Sequence, residues 1–136
     1  MITPKLKDEI INEILISFNE SQTELIRIGY DLAKDKDISE LEFRVIIKQL
    51  AQYGLLSNVR NLTGCTYDIR LEAKLFDFYN RGGFVVQEEI LLANLEKLGY
   101  ELDALSKEAN PRLLDRISNI AKIAASIASA IRLIRV

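Results

Sequence analysis

The chain has 136 residues, a formal net charge of −2 and an apolar fraction of 49%. That size allows one compact domain, or one small domain plus a helical extension, and the apolar share excludes a disordered chain. With no histidine and one cysteine, the commonest general base, a multi-cysteine metal site and an intramolecular disulfide are all excluded, and the near-neutral charge argues against a generally basic nucleic-acid binder.

In chain order, Thr3 as cap and Pro4 at the first helical position predict a helix start. Leu6, Ile10, Ile14 and Phe18 recur every four residues, and Lys5, Lys7, Asp8, Glu9, Asn12 and Glu13 cover the other side. This is an amphipathic first helix to about Asn19. Its charged, periodic start is unlike a secretion signal and points to an intracellular, cytoplasmic protein. Ser21, or else Thr23, is expected to cap a second helix with Leu25, Ile28 and Leu32 as its apolar line, weakened at Gly29. Asp35-Lys36-Asp37 is a short polar break before Ile38.

Ser39-Glu40-Leu41-Glu42 fits a capping box and opens a third helix. Leu41, Val45 and Leu50 are expected on its apolar side with Ile46 and Ile47, and Arg44, Lys48, Gln49 and Gln52 on the other. Gly54 can stop the helix in the left-handed conformation. The period then becomes two. Cys65, Tyr67, Ile69 and Leu71 alternate with Thr66, Asp68 and Arg70, and Asn61 and Gly64 supply turn chemistry, so the segment reads as a two-stranded hairpin. Cys65 reads as a small apolar residue on the inward strand face. A short helix with Leu75, Phe78 and Tyr79 follows, ended by Gly82-Gly83, with Phe84 free to fold back onto its last turn.

This order resembles the bacterial winged helix-turn-helix, many of whose members end in a hairpin and a short helix closing on Gly-Gly-Phe. Leu71-Glu72-Ala73-Lys74-Leu75 occupies the place where that group often has Leu-Thr-x-Lys-Gly, with Glu72 for the capping Thr and Leu75 for the Gly. The resemblance covers roughly residues 1–84. It implies that the third helix meets the major groove of duplex DNA and the hairpin meets the backbone or minor groove. The matching positions are Arg44, Lys48, Gln49 and Gln52 on the helix, with Arg60, Asn61 and Thr63 near the hairpin turn. Glu40 and Glu42 at the leading end of that helix oppose phosphate, and residues 39–84 carry only +1.

Beyond Phe84, Leu91, Leu95, Leu98, Leu102 and Leu105 follow steps of four and three, with Gly99 expected to interrupt or bend the helix. Asn110-Pro111 starts another helix, where Leu113, Ile117, Ile120, Ala124, Ile127, Ile131 and Ile134 repeat the same steps. Residues 85–110 carry two lysines against six carboxylates, net −4; residues 111–136 carry five cations against Asp115, net +4. Opposite charge on neighbouring helices favours their pairing, within one chain or between chains.

The expected architecture is therefore mainly α with a small β-hairpin: a winged-helix domain at 1–84 and a helical oligomerisation region at 85–136. The expected homo-oligomer interface comprises Leu91, Leu95, Leu98, Leu102, Ile117, Ile120, Ile127 and Ile131. The leading function is a small DNA-binding regulator. One alternative is an assembly subunit whose winged helix binds a protein partner. The other is a membrane-associating effector, although the uncharged run Ile123–Ile131 is far shorter than the ~20 residues of a span. Ser17, Ser21 and Ser39 have no histidine to activate them, and Gly82-Gly83 lacks the Lys-Ser/Thr of a phosphate loop. No enzyme activity, metal or cofactor is expected.

Overall fold

Thr3 caps the first helix, α1 (Pro4–Ser21), as its hydroxyl accepts a hydrogen bond from the Leu6 N–H at 3.1 Å. The computed structural model describes residues 1–135, with side chains through Leu133; the Ile134 and Arg135 side chains and Val136 lie outside the described residues. They form two compact units, Met1–Val85 and Val86–Val136. The chain is mainly helical with one small three-stranded antiparallel sheet.

The helix expected after Ser21 does not form. Gln22, at φ 54°, closes α1 by donating to the Phe18 carbonyl. The Ser21 hydroxyl also donates back to Phe18, and Thr23 donates to the Leu25 carbonyl, so neither caps a helix. The chain instead enters strand β1 (Leu25–Gly29), followed by a single 3-10 turn at Tyr30–Ala33. Ile26 and Ile28 point inward while Leu25 and Arg27 face out. Two β-branched residues alternating over five positions suit a pleated half-buried surface better than a helix interrupted by Gly29.

The next helix, α2 (Glu40–Gln52), carries the expected capping box: Glu42 N–H donates to Ser39 Oγ and Ser39 N–H to Glu42 Oε1, each at 3.2 Å. Its inward stripe is Phe43, Ile46, Ile47 and Leu50. Leu41 and Val45, expected inward, lie about 160° round the helix from that stripe and are 71% and 48% exposed. Phe43, a stronger apolar anchor, sets the rotation. Gly54, at φ 75°, ends the helix region, and Leu55 N–H reaches back to the Leu50 carbonyl.

Strands β2 (Leu56–Asn61) and β3 (Thr66–Leu71) form the expected hairpin. The sheet order is β1-β3-β2, with Leu25 opposite Arg70 and Gly29 opposite Thr66 on one side of β3. A bulge between Ser57 and Arg60, with Asn58 at φ 48°, shifts the register on the other side. Cys65, Tyr67 and Ile69 are buried, as their alternation predicts.

Helix α3 (Ala73–Asn80) buries Leu75. Gly82 and Gly83 then take φ values of 105° and 66°, and the Phe84 ring returns onto Phe78 at 4.7 Å between centroids. Asp8 of α1 clasps this corner: its two carboxylate oxygens accept from the Phe84 and Val85 N–H groups at 2.7 and 3.1 Å. Lys7 lies over the Phe84 ring at 4.8 Å. The core between α1, α2 and the sheet centres on Ile10, Ile14, Phe43, Ile46, Leu50 and Ile69, all essentially inaccessible to solvent. Each such side chain contributes about 1.5–3 kcal/mol of transfer free energy.

Helix α4 spans Gly83–Ser106 and α5 spans Pro111–Arg135. Asn110 caps α5 through its Oδ1, which accepts from Leu113 N–H at 3.0 Å. Gly99 lies within α4 without ending it. In the second unit the most buried positions are Leu92 and Leu102 of α4 and Ile117, Ala124 and Ala128 of α5. The expected seam is thus split. Leu102 and Ile117 are buried and Leu95 and Ile131 half-buried, while Leu91, Leu98, Ile120 and Ile127 remain exposed. The small residues Gly99, Ala121, Ala124 and Ala128 take the inward places. Among the described residues, no helix is long and apolar enough to cross a membrane.

Candidate nucleic-acid interface

The outer face of α2 carries Leu41, Val45, Lys48 and Gln52, all exposed, with Arg44 at its edge. Arg44 bridges this helix to the β2–β3 turn. Its Nε donates to Cys65 Sγ at 3.0 Å and a terminal nitrogen donates to the Gly64 carbonyl at 3.1 Å. The Cys65 thiol in turn faces the Glu40 carbonyl at 3.6 Å. Gly64 supplies the left-handed φ of 67° that the turn requires, and Leu62 N–H closes it on the Thr66 carbonyl. The helix face and the turn therefore form adjoining surfaces held by one guanidinium.

The residues singled out by sequence sit as follows. Lys48, Gln52, Arg60, Asn61 and Thr63 are exposed. Gln49 is half-buried and its side-chain amide donates to the Tyr53 hydroxyl at 3.4 Å. Arg44 is exposed, yet two of its donor groups are committed to the turn, so it positions the surface and offers only part of its fork to a ligand. Arg60 lies opposite Asp68 in the ladder, and Asn61 opposite Tyr67.

Two further exposed arginines lie on the sheet, each beside a carboxylate. Arg27 of β1 pairs with Asp68 at 2.9 Å, and Arg70 of β3 lies 3.5 Å from Glu24. The alternation Ile26-Arg27-Ile28 was the signal that would have placed Arg27 on an outward strand face. The acidic objection at the start of α2 is also partly answered locally. Glu42 lies 3.0 Å from the Met1 amino group and accepts from Ser39, instead of projecting forward.

These pairs have a pH signature. The Met1 amino group, then the Ser39 N–H, holds the Glu42 carboxyl below its ordinary range; the Arg27 hydrogen bond does the same for Asp68. A carboxyl with a lowered folded pKa contributes stability above its unfolded value, about 4, and that contribution is lost as pH falls through the folded value. In Arg27→Ala, the acid limb of a stability-versus-pH curve is expected to flatten below about pH 4. Urea titrations in stepped buffers measure this; both carboxylates are partly open to solvent, which screens the pairs, so the change is small.

Among the described residues no group of three or more metal-ligating side chains converges. The chain matches no protein-family model, no curated protein and no solved structure.

Proposed function

We propose that the protein is a winged-helix DNA-binding regulator that self-associates through its C-terminal helices. The observation that carries this reading is the Arg44 bridge, which holds the outer face of α2 against the β2–β3 turn. A helix and a hairpin turn fixed side by side can meet a groove and the adjoining backbone together. Lys48 and Arg60 supply phosphate contacts, and Gln52 and Asn61 supply paired donors and acceptors for base edges. The strand and 3-10 turn that stand in for the expected second helix leave this pair intact.

The test is fluorescence anisotropy of a labelled duplex, begun at low salt and titrated upward. Binding should weaken steeply with salt, because neutralised phosphates release counterions. Lys48→Glu combined with Arg60→Glu should weaken it at least about tenfold and flatten the log–log salt slope by about two. Arg44 is left unaltered because its loss would also free the turn. No binding at low salt, or binding indifferent to salt, overturns the reading.

A second reading, a protein-binding module, is favoured by the exposed Leu41 and Val45 on the same face. Apolar side chains amid charged ones suit a protein interface better than a phosphate surface. A stable protein partner, with DNA retention no better than that of an inert acidic protein, would select it.

A further inference from the structure

The apolar surface of the second unit is larger than one helical hairpin can cover, and it is ordered in rows. Exposed Leu91, Leu98 and Leu105 repeat every seven residues on α4, and exposed Ile120, Ile123 and Ile127 run along α5. At 100° per residue, each row sits about 80–100° to one side of its helix's buried row, in the same rotational sense from N to C. The connection between the helices is short, and one groove is lined by Gly99 and Ala121 at one end and Ser106 and Leu114 at the other, so the two helices run antiparallel. For antiparallel helices that face each other, offsets of the same sense bring both rows to the same side of the pair. Glu96 and Arg132 are offset in the opposite sense, and they meet at 3.0 Å across the other side.

We infer that this row-bearing side is covered by a second copy of the same hairpin, giving a four-helix bundle with its twofold axis along the helices. The inference rests on the self-association part of the reading above and is independent of DNA. The charges choose both occupant and orientation. Helix α4 carries Lys97 against Glu88, Glu89, Glu96, Glu101 and Asp103, net −4; α5 carries Arg112, Arg116, Lys122, Arg132 and Arg135 against Asp115, net +4. A twofold axis along the bundle sets α4 of each copy against α5 of the other, so that unlike charges alternate around all four helices. An axis across the bundle would stack α4 on α4 and α5 on α5, like charge on like. At the outer margins of the rows, Glu101 of one copy then comes near Arg116 of the other, at the end of the bundle where both connections lie.

Sedimentation velocity of the full chain across a wide concentration range should show a dimer. Leu98→Glu should weaken dimerisation at least about a hundredfold, while Tyr100→Glu, exposed but off the row, should leave it unchanged. A near-isosteric second measurement guards against unfolding: in a Cys65→Ser background, copies carrying Leu98→Cys are mixed with copies carrying Ile123→Cys and oxidised. Covalent dimers should form between unlike copies and scarcely between Leu98→Cys copies alone. A monomer at every concentration, an assembly larger than a dimer, a dimer indifferent to Leu98→Glu, or cross-linking chiefly between Leu98→Cys copies would each overturn the inference. Because no DNA is present, failure here leaves the binding proposal to its own test.

Discussion

Gly83→Ala is expected to lower the stability of the first unit by about 2–4 kcal/mol, from two sources that a cycle of variants can separate. Gly83 holds φ at 66°, where an L residue is strained by about 1–2 kcal/mol. An added Cβ would also stand 2.3 Å from Asp8 Oδ1. Asp8 can swing aside, but only by releasing the Phe84 and Val85 N–H groups; these bonds are part-buried, so water can replace them, and each contributes about 0.5–1 kcal/mol net. Asp8→Ala should lose the bonds without the strain and cost less. The double variant should cost clearly less than the sum of the two, because one change removes the atom with which the other collides. Urea unfolding of the full chain, followed by far-UV circular dichroism, gives all three values. Strict additivity would mean that the added methyl leaves the clasp undisturbed and that Gly83→Ala costs backbone strain alone.

The clasp also marks a limit of reading the chain as a string. Asp8 sits among Lys5, Lys7 and Glu9 on what sequence spacing assigns to a solvated helix side. Its partners lie 76 and 77 residues away, and nothing local signals them. The features legible in advance were local ones: the Thr3-Pro4 start, the Ser39–Glu42 box, the Asn110 cap and the return of Phe84 onto Phe78 each depend on a few neighbours. Strand β1 was not legible, because Leu25, Ile28 and Leu32 satisfy a helical spacing while Ile26 and Ile28 satisfy a strand spacing. The decision belongs to β3, whose Asp68 is 41 residues beyond its partner Arg27. In the tail, two apolar stripes run side by side on each helix. Counting large residues selects Leu91, Leu98, Ile120 and Ile127. Packing within the chain selects Leu92, Gly99, Ala124 and Ala128, since small residues let helices approach. Of the candidate nucleic-acid surface, the exposed positions were legible, but the role of Arg44 as a bridge was not, since Cys65 and Gly64 meet it only through the fold.

Phe43→Ala should be the most damaging single change in the first unit, at about 3–5 kcal/mol, the usual cost of emptying a buried phenyl site. Phe43 is wholly inaccessible to solvent, with Tyr30 edge-on at 6.0 Å and Tyr67 tilted at 6.3 Å. Neither neighbour can readily fill the hole. The Tyr30 hydroxyl donates to the Ile38 carbonyl at 2.5 Å, and Tyr67 is held in the β3 ladder. A domain of this size has roughly 0.05–0.15 kcal/mol of stability per residue, so the loss takes up a large part of the total. The chain has no tryptophan, so the tyrosine near-UV circular dichroism reports the change, with Tyr30 and Tyr67 already at the site. Phe43→Leu should recover about half of the loss, because most of the transfer free energy returns while the ring contacts do not. A full recovery by leucine would show that volume alone counts at this position. A loss below about 1 kcal/mol for alanine would mean that α2 does not depend on Phe43 for its seat on the sheet.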